Sequence, residues 1–585
     1  MKAPNPIDEA RRIGTVTVAT TQWVTINLPN AGAAVPFLHH GNPVPRGEVG
    51  EYICFPRGDE IVLGRITRVE LPERDRLSVE PKIGRPEAVD PIGTVALLTD
   101  IDLKKEEVTG AVSVPPRLGT PAYSISPGFL QWVLDSCARK AGEQNNSVAL
   151  CIGDVAGVTR APVSVTPERL FGRHCAILGV TGGGKSWTIA RIVEECAEYR
   201  CKIVLVDATG EFANLGSGVT HCSIGSEIED VLQVSCPYSK LEERDLFALF
   251  TPSGQSQAPT LREAIRSLKL AKCEGLPSGM VINGRIPKSG RPIQEFHEAC
   301  RKNASFLEGS LADFEVSHLA EQIALECVWP TNNRDPSKFG DTNLSNLGYC
   351  LSLVMRIESM VKAAALVPVF QPGKLPSIHG KIDEFVADPS QRVLRVSLRH
   401  LSFAMSVRPI VVNAIGHHLL QMARGKNFVS APLVVLLDEA HQFLGKSLGD
   451  ENNSYALEAF DLIAKEGRKY GLTVCLATQR PRDIQDGVLS QMGTMIIHRL
   501  THGADRDVVE RAARDVEKSV ATFLPTLSPG EAILLGADFP IPIPIQIRPP
   551  SKKPESKGPD YQQHWALEVV SMQHPAPSAA PAEAG

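Results

Sequence analysis

The stretch His174-Cys-Ala-Ile-Leu-Gly-Val-Thr-Gly-Gly-Gly-Lys-Ser-Trp-Thr188 constrains this chain more than any other. Gly179, four residues, then Gly184, Lys185 and Ser186 spell G-x-x-x-x-G-K-[ST], the pattern of a phosphate-binding loop. The apolar run Ala176 to Leu178 enters it and reads as a buried strand. Ile189, Ile192, Val193 and Cys196 follow at helical spacing. A second apolar run, Lys202 to Val206, ends in Asp207. Strand, loop, helix and strand in this order are the context the motif needs, and they predict an α/β core.

The residue types follow from the chemistry. A nucleotide β-phosphate must approach the backbone closely, and Gly182, Gly183 and Gly184 remove the side chains that would block it. Their N–H groups and the positive end of the following helix form an anion site. Lys185 reaches the β- and γ-phosphates as a point charge, and the Ser186 hydroxyl is placed to ligate Mg²⁺. The expected nucleotide-binding set is Gly179, Thr181, Gly182, Gly183, Gly184, Lys185, Ser186 and Trp187, with ATP and Mg²⁺ as cofactors.

With 585 residues the chain exceeds one ordinary domain. A net charge of −5 excludes a polybasic tail but leaves room for a local basic channel. The 13 cysteines include no C-x-x-C pair and read as reduced, largely buried thiols. No H-E-x-x-H spacing or Cys/His cluster suggests zinc. No apolar stretch reaches the length of a membrane span, and Met1-Lys-Ala-Pro-Asn-Pro lacks the apolar core of a signal peptide. The expected location is the cytoplasm.

Taken in order, residues 1–110 read as a small β-barrel. Thr15–Thr20, Trp23–Leu28, Glu51–Phe55, Ile61–Val69 and Val95–Ile101 alternate or are β-branched, with turn residues between them. Residues 111–225 open the core, beginning with a Pro-, Ser- and Gly-rich connection from Val112 to Pro127. Residues 226–390 are mainly helical in pattern (Leu261–Leu270, Phe306–Cys327, Leu347–Ala365) and read as an inserted helical subdomain. Residues 391–550 resume the core. Residues 551–585, rich in Pro, Lys, Ser and Ala, read as a disordered tail with a possible helix around Trp565–Met572.

The second half of the core carries the acids. Pro432-Leu-Val-Val-Leu-Leu-Asp-Glu-Ala-His441 is a buried strand ending in adjacent carboxylates. Asp438 is suited to hold Mg²⁺ through water, and Glu439 to orient and polarise the attacking water. Asp207 and Glu211 are candidates because acids at the tip of a parallel strand line the ligand crevice, although a polar loop cap explains them as well. A helix over roughly Ser454–Tyr470 should stop at Gly471. The strand Leu472–Ala477 then delivers Gln479 beside the γ-phosphate. Arg468, Lys469, Arg480, Arg482 and Arg499 lie in the same stretch, some on a solvated face, at least one for phosphate chemistry or a nucleic-acid channel.

These residues resemble the HerA-type hexameric ATPases of the HerA/FtsK group. The resemblance rests on Arg173-His174, the phosphate loop, Asp207-Ala-Thr-Gly-Glu211 and Leu437-Asp-Glu-Ala-His441. It extends through Gly467-Arg-Lys-Tyr-Gly471, Thr478-Gln-Arg-Pro481, Leu489-Ser-Gln491 and His498-Arg-Leu500. It implies a RecA-like P-loop core with an assembly barrel, ATP and Mg²⁺ at Lys185, Ser186 and Asp438, and a catalytic Glu439. A sensor Gln479, a supporting Asp207 and an arginine finger at Arg468 are implied too, with Arg480 or Arg482 as alternative fingers. It also implies a homo-hexamer threaded by double-stranded DNA and an effector partner: a NurA-like nuclease, a sirtuin-like NADase or another nuclease. The expected function is an ATP-driven DNA translocase in end processing or antiphage defence. The alternative is a scaffold ATPase that activates an effector with nucleotide as a switch.

Overall fold

In a computed structural model, the described residues are 3–31, 37–39, 42–71, 90–138, 148–156, 161–216, 218–225, 231–403, 406–445, 457–512, 523–555 and 561–565. Six antiparallel strands near the N-terminus close on themselves. They are β1 (Arg12–Ala19), β2 (Trp23–Asn27), β3 (Tyr52–Arg57), β4 (Glu60–Glu70), β5 (Ile92–Asp102) and β6 (Pro121–Ser124). Their order is β2-β1-β6-β3-β4-β5, and pairing of β2 with β5 completes the barrel. Residues facing inward, among them Val24, Ile26, Phe55 and Val95, form its core. The barrel therefore extends past residue 110. The Pro-rich connection supplies β6, with Pro121 at the first strand position, where a missing N–H costs least.

The core is one sheet of twelve strands. Its further strands are β7 (Leu150–Val155), β8 (Pro162–Val165), β9 (Cys175–Leu178), β10 (Lys202–Asp207), β11 (Val219–Ile224), β12 (Leu232–Val234), β13 (Val393–Ser397), β14 (Leu433–Leu437), β15 (Leu472–Thr478), β16 (Thr494–His498), β17 (Glu531–Gly536) and β18 (Phe539–Ile547). The order is β8-β7-β18-β17-β16-β9-β15-β14-β10-β13-β11-β12. The strands from β16 to β12 run parallel, while β17, β18, β7 and β8 add antiparallel pairs at one side. This is the RecA-like arrangement in which the strand after the acidic one lies between the phosphate-loop strand and the acidic strand.

Side-chain alternation fixes the two faces. Ile203 and Leu205 of β10 join Ile189, Ile192 and Val193 of the helix Lys185–Ala197, in a cluster that also takes in Tyr52 and Leu63 of the barrel. Val204 and Val206 face the other way, onto the helices Val407–Arg424 and Ala459–Glu466. The same second cluster includes Leu261, Ile323, Leu353 and Phe385 from the helical segment. That segment thus packs partly onto the core, while Leu270, Met280, Ile286, Phe296, Cys300 and Leu307 form a smaller cluster of its own. Its first strand, β12, is an edge strand of the sheet. The run Phe306–Cys327 is broken: after a single turn at Ala304–Leu307, a regular helix starts only at Leu319.

The expected helix before β15 is also shorter than its polarity suggested. It spans Ala459–Glu466 and buries Phe460, Ile463 and Ala464, and a 3-10 turn over Gly467–Tyr470 follows. Ser454, its expected start, lies outside the described residues, as do residues 513–522 after the helix Gly503–Ala512.

Candidate active site

All four residues of β9 are buried, so the strand presents its C-terminal loop from a rigid base. Gly184 opens the following helix at φ 119°, a left-handed conformation that suits glycine, and a Cβ there would lie 3.1 Å from Gly530 Cα. The Gly183 carbonyl accepts from Gly530 N at 3.0 Å, and Val180 N donates to Arg499 O at 3.0 Å. The Lys185 ammonium donates to Val180 O at 3.2 Å, folded into its own loop. Burial lowers the Lys185 pKa, and Glu439, Asp438 and Glu211 oppose that shift.

Three carboxylates gather around this lysine. Asp438 follows β14 and is buried, its N–H donating to Val206 O at 3.0 Å. Burial raises its pKa well above the usual carboxylate range; Asp207, Glu439 and Glu211 add to the rise, and Lys185 opposes it. Glu439 sits at φ 46°, a strained conformation for a residue with a side chain, of order 1–3 kcal/mol. The strain turns its carboxylate beside His441, whose Nδ1 is 3.3 Å from Glu439 Oε2 and 3.2 Å from Thr478 Oγ1. Glu211 bonds Ser186; burial raises its pKa against that bond, and repulsion from Asp207 and Glu439 adds to the rise.

Glu211 Oε2 and Glu439 Oε2 are both buried and accept no hydrogen bond. Orphaned acceptors beside Ser186 and Lys185 suit a divalent cation and the water around it. Among the described residues no three His, Cys, Asp or Glu side chains form a metal cage. Mg²⁺ keeps several waters and leans on substrate phosphates more than on protein ligands. Ser186 directly and Asp438 through water are the residues that would hold it.

Asp207 has another part. It is fully buried, and Oδ2 accepts from Arg395 Nε at 2.7 Å and from Phe212 N at 3.1 Å, while Oδ1 accepts from Gly210 N at 2.7 Å. Asp207 therefore pins the turn that carries Glu211. Its partner Arg395 was missed in the sequence, where the signal was a lone charge inside an apolar strand. Asp207→Ala should cost about 3–5 kcal/mol, because a buried guanidinium loses its counter-charge. The unfolding midpoint in urea checks this; a loss under about 1 kcal/mol would show the pair is not what holds the turn.

Gln479 does meet the phosphate loop: the Thr181 hydroxyl donates to its Oε1. Arg468 does not. It lies before β15, near His174, which precedes β9 and whose Nδ1 accepts from Val474 N at 3.0 Å. The loop lies at the other end of β9, beyond a parallel strand pair rising about 3.3 Å per residue. Arg468 is thus held away from its own phosphate loop. It is exposed, and the acids on the helix before it are paired elsewhere: Asp461 with Lys465 and Glu466 with Arg424. Arg480 and Arg482 instead follow the loop end of β15, within ion-pair reach of Asp483, and Arg482 also of Asp505.

One element was not foreseen. Ser551–Glu555, read from composition as disordered, pack on the core. Arg548 clamps Asp154 through two nitrogens, at 2.9 and 2.5 Å, and Ser551 N donates to the Glu194 carboxylate. The Lys553 ammonium stands 5.8 Å over the Trp187 ring, and Glu555 N donates to Glu211 O at 2.8 Å. The strap crosses the outer side of the phosphate-loop helix. Tyr561–Trp565 form a further helical turn, and 566–585 lie outside the described residues.

Residues 150–300 match the family model described as the central domain of helicase HerA. A DNA double-strand break repair helicase HerA of Sulfolobus acidocaldarius is 29% identical, covering 77% of each chain. One from Pyrococcus furiosus is 23% identical, covering 74% of each. Among solved structures, VirB4 of Thermoanaerobacter pseudethanolicus superposes with a TM-score of 0.44 at 15% identity, over 72% of this chain and 100% of that one.

Proposed function

We propose that this chain, which belongs to the HerA-type P-loop ATPases, is the ATP-driven motor subunit of a ring of six that threads double-stranded DNA. The observation that carries the reading is the convergence of Lys185 and Ser186 with the buried Asp438 and the half-buried Glu439 and Glu211 at one end of the sheet. The loop N–H groups and Lys185 bind the β- and γ-phosphates. Mg²⁺ held by Ser186, and by Asp438 through water, would supply charge neutralisation. Glu439, whose Oε2 accepts no hydrogen bond and lies 3.3 Å from His441 Nδ1, accepts the proton of the attacking water. Gln479, tied to Thr181, reports the state of the γ-phosphate to β15.

The names of the relatives support DNA as the track. The ring, the pore and an effector partner, whether a NurA-like nuclease, a sirtuin-like NADase or another nuclease, belong to this reading. Among the described residues no helix is long and apolar enough to cross a membrane.

The test is ATP turnover with and without duplex DNA across a salt series. Basic side chains lining a pore predict several-fold stimulation, DNA binding that weakens steeply with salt, and little sequence preference. Turnover indifferent to DNA, with an effector still activated by a hydrolysis-dead ring, would favour a nucleotide-switched scaffold instead.

A further inference from the structure

His498 ends β16 fully buried, directly beneath the phosphate loop. Its Nδ1 is 2.8 Å from the Glu531 carbonyl and its Nε2 is 2.8 Å from Thr188 Oγ1. A carbonyl oxygen only accepts, so Nδ1 carries the proton and Nε2 is left to accept from the Thr188 hydroxyl. Burial pushes the His498 pKa down to about 4, which keeps the ring neutral and this tautomer in place at ordinary pH. The same hydroxyl lies 3.1 Å from Gly184 O, the acceptor it falls back to without the imidazole.

The loop packs closely on His498 at both ends. A Cβ on Gly179 would lie 2.6 Å from His498 Cβ, and one on Gly184 would lie 3.2 Å from His498 Cε1. Thr188 stands one turn into the helix whose first N–H groups face the phosphates, so its hydroxyl joins the ring to the anion site. We propose that His498 is a positioning residue of the nucleotide site, holding the phosphate loop in its anion-binding shape through its Nε2 bond to Thr188. This rests on the reading of that loop as the nucleotide site.

Two substitutions separate the ring's roles. His498→Asn keeps a donor where Nδ1 was and removes the acceptor; His498→Gln restores an acceptor near Nε2. Titration calorimetry with Mg·ADP should show Kd raised about tenfold for His498→Asn and less than about threefold for His498→Gln, the scale of one hydrogen bond. Thr188→Val should match His498→Asn, and the double variant should be no weaker than either single one. Turnover at saturating ATP should change much less than Kd, as expected when binding is lost equally from ground and transition states. Should His498→Asn not fold, Thr188→Val carries the same comparison. Unchanged Kd in these variants, with only the melting temperature lowered, would mean that His498 merely fills space. Wild-type protein that takes up no Mg·ADP would overturn the nucleotide site and this inference together, so silent variants of a binding wild type overturn the inference alone.

Discussion

Rings built only from Arg468→Ala subunits should bind ATP, assemble, and turn over about 10³-fold more slowly than wild type, or slower still. The loosely bound, charge-rich transition state of phosphoryl transfer needs a planar cation that one phosphate loop does not supply. Arg468 lies at the end of β15 away from its own loop, so any contact with phosphate must be with a neighbouring subunit's nucleotide. It is exposed, and neither Asp461 nor Glu466 is free to hold it. An arginine that merely decorated the surface would cost under ~1 kcal/mol and leave turnover intact. Mixing decides between the two. Arg468→Ala and Lys185→Ala subunits are each inactive, but a mixed ring contains interfaces that pair an intact loop with an intact finger. Partial recovery of turnover is the expected result. No recovery in rings shown to be mixed, together with recovery when Arg480 or Arg482 replaces Arg468 in the pairing, would move the finger to the loop end of β15.

Glu439→Gln should bind ATP and hydrolyse it at least ~10²-fold more slowly, the scale lost with a general base. The amide keeps the shape of the carboxylate at its strained φ of 46° but cannot take a proton from water. Asp438→Ala should fail differently, by weakening Mg²⁺-dependent nucleotide binding, since Asp438 is buried beside Lys185 rather than aimed at a water. Nucleotide affinity from calorimetry and single-turnover rates separate the two acids. Equal affinities and equal rates would contradict the division of work between them.

The nucleotide site was legible where its chemistry is local in sequence. The loop, its flanking strand and helix, and the acids after β14 all announce themselves by apolar runs ending in particular residues. The parallel sheet followed from the same runs. What pairs over long distance was not legible. Arg395 closes on Asp207 across 188 residues, and His498 reaches Thr188 across 310; no local pattern marks either pair. The strap from Ser551 to Glu555 was misread because its Pro and Lys content resembles disorder. It is instead held by long-range contacts that composition does not encode: Ser551 N on the Glu194 carboxylate, Glu555 N on Glu211 O, the Glu555 carboxylate on Asn214 Nδ2 and Lys553 over Trp187. The barrel's last strand was hidden in the same way by the prolines around it. Arg468 was placed by resemblance, and the fold adds why it has no use for its own loop: the chain enters β15 there, a full strand length from the phosphates.

The central claim is that ATP turnover at Lys185 and Glu439 moves the ring along duplex DNA. Displacement of a third-strand oligonucleotide from a DNA triplex tests it most directly, because a protein advancing on the duplex strips the third strand without needing to unwind anything. ATP-dependent displacement by the wild-type protein, absent with Lys185→Ala and Glu439→Gln, is the predicted result. A protein that hydrolyses ATP and binds the same DNA, yet leaves the third strand in place on short and long tracks alike, would contradict translocation.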